Sequence, residues 1–220
     1  MTCLPSAVTF DWRPTTDARR VHAIHASAVA KAPPGMVRPD TLAYFERHAG
    51  QCGEIIGCFL DNGEMIAYGV LAMRSDTVLH MADMLAAQPG QFCVLDGASA
   101  LPAWRGFGLH VAGIGQRIAY AAALGLTQAG ATVAPENIRS VRGLLRAGMV
   151  VRGFARMYGG LARLVLQHDV LAPPLALRCQ MQVLLGDHGG HQQALAAGLT
   201  GYACSQDVAG NWVMQYGLET

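Results

Sequence analysis

The amino-acid sequence predicts an α/β domain. Three observations carry that reading: two apolar runs around Asp61-Asn62-Gly63, a strand that passes through a glycine-containing turn into a long alanine-rich helix, and further alternation of strand and helix patterns on both sides. With 52% hydrophobic and 14% charged residues in 220, the chain can bury one substantial core.

The elements follow in order. Ala7 to Trp12 is β-branched and aromatic and runs toward Pro14, which predicts an opening strand. Val21, Ile24, Ala28 and Val29 recur at helical spacing within Asp17 to Lys31, and Pro33-Pro34-Gly35 ends that helix; a second spans Pro39 to His48. Glu54 to Leu60 and Met65 to Met73 form a hairpin, with Asn62-Gly63 supplying positive φ angles. Ser75 to Gly90 reads as a connection with a short helical turn, Gln91 to Leu101 as a strand, and Leu109 to Leu124 as the long helix. Then come a strand at Gln128 to Ala134, a helix from Asn137 to Ala147 closed by Gly148, and strands at Val150 to Met157 and Leu161 to Val170. Pro173-Pro174 marks a break, so the expected division is a domain over 1–170 and a C-terminal extension over 171–220 packed on it, with a helix at His188 to Ala197 and a strand at Asn211 to Tyr216. No internal repeat is expected.

Charge narrows the function. The net charge is +1 and the sixteen Lys and Arg are scattered, which argues against a nucleic-acid partner. The longest apolar segment, Val111 to Leu126, is interrupted by Gln116 and Arg117, so no membrane span is expected. The six cysteines form no CxxC pair and the N-terminal residues lack a secretory pattern; the expectation is reduced thiols in a cytoplasmic protein.

The stretch "LPAWRGFGLH", Leu101 to His110, carries the chemistry. Strand, glycine turn and helix in succession leave the first helical N–H groups without intrahelical partners, and the helix dipole makes them an anion site. Glycine lets a phosphate approach the main chain, and Arg105 adds a charge. The spelling is not that of a P-loop, and Gly106-Phe-Gly108 lacks the third glycine of a dinucleotide fingerprint.

From Leu101 onward the chain resembles the GCN5-related N-acetyltransferase (GNAT) superfamily. The resemblance rests on Arg105-Gly106-Phe107-Gly108-Leu109-His110, which follows the Arg/Gln-x-x-Gly-x-Gly/Ala motif, and on "TVAPENIRSVRGLLRAGMV" with Asn137, Ser140 and Gly148-Met149. It implies a mixed, mostly antiparallel central sheet flanked by helices, with splayed fourth and fifth strands admitting the pantetheine arm of acetyl-CoA. It also implies cofactor contacts at Leu101, Arg105, Gly106, Phe107, Gly108, Leu109, His110, Asn137 and Ser140. Two positions depart from the family: His110 replaces the usual Gly or Ala, and Leu144 stands where a general-acid tyrosine is often found.

Acetyl transfer requires a base for the amine and a proton for the leaving thiolate. Asp96, inside "FCVLDGASA", is the candidate base or else a structural hydrogen-bonding residue at a strand end. Tyr158 is a candidate acid or a turn-packing residue, and Ser99 a proton relay or an ordinary hydrogen-bonding group. Glu136 suits a helix start. His22 and His25, and Asp187 with His188 and His191, lack the further ligands of a recognisable metal site, so no metal is expected. Met36, Tyr44 and Phe45 are candidate walls of an acceptor pocket. The expected function is acetyl-CoA-dependent N-acetylation of a small-molecule or peptide amine, in a chain that could dimerise through its tail; the alternative is a CoA-binding regulatory module with little turnover.

Overall fold

The computed structural model describes residues 8–172 and 175–219, so Ala7 and the Pro173-Pro174 break lie outside the described residues. The N-terminal half comprises β1 (Asp11–Pro14), α1 (Ala18–Val29), α2 (Leu42–His48), β2 (Gly53–Phe59), β3 (Met65–Ala72), α3 (Asp76–Met84) and β4 (Phe92–Ala100). Then follow α4 (Leu109–Ala123), β5 (Gln128–Val133), α5 (Ile138–Arg146), β6 (Val150–Met157), β7 (Leu161–Asp169), β8 (Leu177–Leu184), α6 (His188–Ala196), β9 (Thr200–Gln206) and β10 (Trp212–Glu219). The ten strands make one sheet in the order β1-β2-β3-β4-β5-β7-β6-β9-β10-β8. Among the described residues only β4 and β5 pair in parallel. Among the described residues no helix is long and apolar enough to cross a membrane.

The sheet is covered on both faces. Every residue of β3 is buried, and its alternation sends Tyr68 and Val70 against Val21, Ile24 and Phe45 of α1 and α2, while Leu71 joins Ile114 and Ala121 of α4. The α1 helix starts where Asp17 accepts a hydrogen bond from Arg20 N and buries Val21, Ile24, His25 and Ala28. The region Ser75 to Gly90 holds a nine-residue helix, not a single turn: Ser75 caps it, and Val78, Met81 and Ala82 bury its apolar stripe. At the β2–β3 hairpin only Gly63 has positive φ, +81°, so the turn is a three-residue loop with Gly63 in the left-handed position, not the tighter Asn-Gly turn expected.

The largest departure from the sequence reading is in the tail. It contains β8 and β9 in addition to the expected α6 and β10, and its β-α-β-β run repeats the one from β5 to β7 at an offset of fifty residues. Helix Ile138–Arg146 corresponds to His188–Ala196, its cap Asn137 to Asp187, and left-handed Gly148 to left-handed Gly198. Sheet register follows the same offset, Val133↔Leu164 matching Val183↔Met214 and Phe154↔Leu164 matching Cys204↔Met214. Both copies even carry the same bulge, between Val151 and Gly153 in one and between Ala203 and Gly201 in the other. The copies meet where Val151 pairs with Gly201, each residue facing its own counterpart, which is the signature of a two-fold axis.

This repeat escapes the sequence because only the pairs Val133/Val183, Leu145/Leu195, Ala147/Ala197, Gly148/Gly198 and Gly160/Gly210 are identical at that offset. Conserved backbone geometry, not side-chain identity, carries it. A Cβ on Gly201 would lie 2.9 Å from Val151 Cβ and 3.0 Å from Tyr216 Cε1. Gly201→Val is therefore expected to lower stability by about 1–3 kcal/mol through overpacking, read as a lower urea midpoint with an unchanged m-value.

Candidate active site

Parallel pairing of β4 with β5 stops at Val94↔Gly130, although both strands continue. Beyond it they splay into a wedge lined by Leu95, Asp96, Gly97 and Ala98 on one side and Ala131, Thr132, Val133 and Ala134 on the other. The wedge encloses a cavity of about 120 Å³.

A bulge in β4 produces this geometry. Leu71 pairs with Leu95 and Gly69 with Ala98, so three residues of β4 advance against two of β3. Arg117 of α4, 2% exposed, holds the bulge: its Nη1 donates to Val70 O and Asp96 O, each at 3.0 Å, and its Nε to Gly113 O at 3.0 Å. Burial lowers its pKa to about 10, which leaves it charged at neutral pH. The reach requires Gly69, where a Cβ would sit 2.6 Å from Arg117 Nε.

At the end of β4, Gly106 and Gly108 take φ of +91° and +77°, and Gly108 caps α4 without a side-chain hydrogen bond. Among the described residues the amides of Gly106, Phe107, Gly108, Leu109, His110 and Val111 have no protein acceptor. Both glycines are exposed, and a Cβ on either would meet nothing, so the donors face open space. Arg105 is exposed, and its Nε reaches only Ala100 O at 3.5 Å. Leu101 turns inward, its N–H on Ile66 O.

Asn137 caps α5 by accepting from Ser140 N at 3.3 Å, and both line the wedge with Leu144. His110 Nε2 lies 3.4 Å from Ser140 Oγ, and its ring fills the space a Cβ on Gly143 would need, 2.4 Å from His110 Cδ2. The large residue at position 110 is thus matched by a missing side chain at 143. Desolvation against α5, with the Arg117 charge, pushes the imidazole pKa down, and neutral imidazole at pH 7 is the consequence.

Asp96 sits in the bulge facing the wedge. Its carboxylate accepts from Tyr44 Oη at 2.8 Å, from Gly97 N at 2.9 Å, and from Arg38 Nη2 at 3.3 and 3.4 Å. Tyr158, at φ +52°, also faces the wedge, its hydroxyl 3.1 Å from Thr132 Oγ1. A non-glycine residue in that region costs of order 1–2 kcal/mol and is typical of functional sites. Burial and the nearby Asp96 charge raise its pKa, so the phenol keeps its proton. Ser99 points elsewhere, into a separate cavity of about 50 Å³ beside Ala100, Leu109 and Trp12. Glu136 pairs with His188 at 3.1 Å.

Three groups, Arg38, His25 and Arg163, take places at the site that their sequence positions do not foretell. Arg38 bridges Asp40 at 2.6 Å and Asp96 at 3.3 Å, and its guanidinium lies over the Tyr158 ring at 4.6 Å. His25 accepts from Asp40 N at Nε2 and so carries its proton on Nδ1, toward Tyr68 Oη at 2.8 Å; burial holds it neutral. Arg163 reaches the wedge from β7. None of them stands near Asp96 in sequence, and no local spelling marks them. Of the expected walls, Met36 lines the wedge, Tyr44 touches it through Asp96, and Phe45 is core.

No family model and no curated protein matches the chain. Solved structures do. A phosphinothricin acetyltransferase of the GNAT superfamily from Sinorhizobium meliloti, in complex with acetyl-CoA, matches at TM-score 0.56 and 17% identity, over 73% of this chain and 88% of the other. YncA, an acetyltransferase of Salmonella typhimurium with its cofactor acetyl-CoA, matches at 0.56 and 18%, over 76% and 98%. The aminoglycoside acetyltransferase AAC(6')-Ib with coenzyme A and kanamycin matches at 0.55 and 15%, over 73% and 95%. At these identities the likeness speaks for architecture, and the wedge, the bulge and the strand-turn-helix agree with it: the chain has the fold of the GNAT superfamily acetyltransferases.

Proposed function

We propose that the protein is an N-acyltransferase that moves the acetyl group of acetyl-CoA to a primary amine, by direct attack within a ternary complex. The observation that carries this is the row of unbonded amides from Gly106 to Val111 at the mouth of the β4–β5 wedge. Those donors and the α4 dipole suit a pyrophosphate, with Arg105 free to add a charge. The pantetheine arm then runs along the wedge past Asn137 and Ser140, bringing the thioester beside Asp96 and Tyr158. That structures of the same fold hold acetyl-CoA or coenzyme A supports the reading.

In the reaction the amine nitrogen attacks the thioester carbonyl carbon and loses a proton, the C–S bond breaks, and the thiolate takes a proton. Asp96 is the acceptor available for the first proton, and the Tyr158 hydroxyl is the donor available for the second. An N–H of β4 freed by the splay would receive the developing oxyanion. Ser99, in its own cavity, takes no part. We place the protein in the cytoplasm, where its free thiols stay reduced; burial raises those of Cys58 and Cys93 to about 11 and 12, which keeps them unreactive. Because β9 already occupies the edge of β6, a homodimer would use another surface.

The second reading, a CoA-binding module with little turnover, is favoured by Leu144 at the position of the family's usual acid. Thiol release with an amine panel separates the two: turnover above the rate without acceptor removes the module, and tight CoA binding without any release removes the enzyme. Gly108→Val forces a β-branched residue into left-handed φ at about 1–2 kcal/mol and crowds the phosphate path. Its coenzyme A Kd, by calorimetry, is expected to rise at least tenfold with a melting temperature only a few degrees lower. Asp96→Asn and Tyr158→Phe are each expected to lower kcat by about 10²–10⁴ while leaving coenzyme A affinity within a factor of a few, measured by steady-state kinetics beside calorimetry.

A further inference from the structure

The charges around the wedge do not balance. Three guanidiniums, Arg38, Arg117 and Arg163, line it against two carboxylates, Asp40 and Asp96. Arg38 is ion-paired with both carboxylates, and Arg117 is spent on the main-chain carbonyls of the bulge. Arg163 is 5% exposed, donates only to Ala162 O at 2.8 Å and Gly35 O at 3.0 Å, and has no carboxylate within 4.0 Å among the described residues. Its guanidinium lies 5.8 Å from the centre of the Tyr158 ring, which Arg38 also borders at 4.6 Å.

A buried cation without a counter-ion is costly, and burial depresses the Arg163 pKa. Guanidinium is also the group whose planar fork matches a carboxylate, so an arriving anion would recover more here than at the surface. Arg163 and Asp96 line the same cavity, so one ligand can meet both, its anion at the guanidinium and its amine at the carboxylate. Building on the acetyltransferase reading, we propose that the acceptor is a small zwitterion, an amino acid or close analogue, whose carboxylate is received by Arg163 while its ammonium is drawn to Asp96. Arg163 is then a binding residue that fixes specificity, and the Gly35 carbonyl it holds orders the loop at the mouth of the pocket.

The test uses the full-length protein and two readouts. Thiol release from acetyl-CoA is compared for each of the twenty amino acids against its C-terminal amide, and binding of the same compounds to the coenzyme A-loaded protein is measured by calorimetry. At least one amino acid is expected to exceed its amide tenfold or more in kcat/KM and in affinity. Aminophosphonate analogues form a third arm: activity with them as well identifies a general oxyanion site, activity without them a carboxylate site. Arg163→Met is expected to raise KM for the preferred acid at least tenfold more than KM for its amide, and Arg163→Lys to recover part of that difference. Equal use of acids and amides by the wild type, or no binding of any amino acid to the loaded protein, overturns the proposal whether or not the variants fold. Failure to bind coenzyme A is a different result: it overturns the acetyltransferase reading itself.

Discussion

One buried cation holds the site in shape. Arg117 comes off α4 into a space that only Gly69 leaves open, and ties Val70 O and Asp96 O to its own helix. Taking a guanidinium out of water costs several kcal/mol, and three charge-assisted hydrogen bonds at about 1.5–3 kcal/mol each offset it. An arrangement so dependent on its partners has few alternatives. The extra residue in β4 is thereby locked, Asp96 is turned toward the wedge, and β4 is directed away from β5 where the cavity opens.

The second copy of the β-α-β-β unit shows by contrast what a site needs. It keeps the helix cap, the left-handed glycines and the strand register of the first copy, yet it has no counterpart of β4 or α4. Among the described residues no strand pairs with the outer side of β8, which forms the sheet edge, so there is no neighbour for it to splay from. Where Tyr158 stands in the first copy, Val208 is fully exposed in the second. What the tail contributes is closure: β9 covers β6, Arg152 donates to Thr200 Oγ1 at 2.6 Å, and Phe154 stacks on His191 at 5.9 Å. Along the sheet, the repeat takes the place that a second subunit would take in an isologous pairing.

Legibility varied with the range of the interaction responsible. The turn at Gly106 and Gly108 was readable because a strand, two glycines and a helix start are local, and so was the α5 cap at Asn137 with Ser140 three residues on. Helix α3 is less legible although its Ser75 cap and Val78, Met81, Ala82 stripe are local too, since only nine residues carry the period within the segment from Ser75 to Gly90. Asp96 was visible as a polar residue in an apolar strand, but its partners Tyr44 and Arg38 stand more than fifty residues away, so its surroundings were not. In β8 and β9, burial alternates too weakly to mark strands: most of their residues are half-buried or exposed at the outer part of the sheet.

The sequence by itself determined the elements whose signals lie within one turn or one hairpin: the helices, the central strands, and the glycine bend that leaves backbone donors unpaired. Tertiary structure alone decided the charge pattern of the pocket, the depth at which Arg117 and Arg163 are buried, and the pairing of Val151 with its counterpart Gly201. The reason is physical. Backbone preference and capping are settled by neighbours a few residues apart, whereas desolvation and ion pairing depend on which distant side chains the assembled sheet brings within a few ångströms.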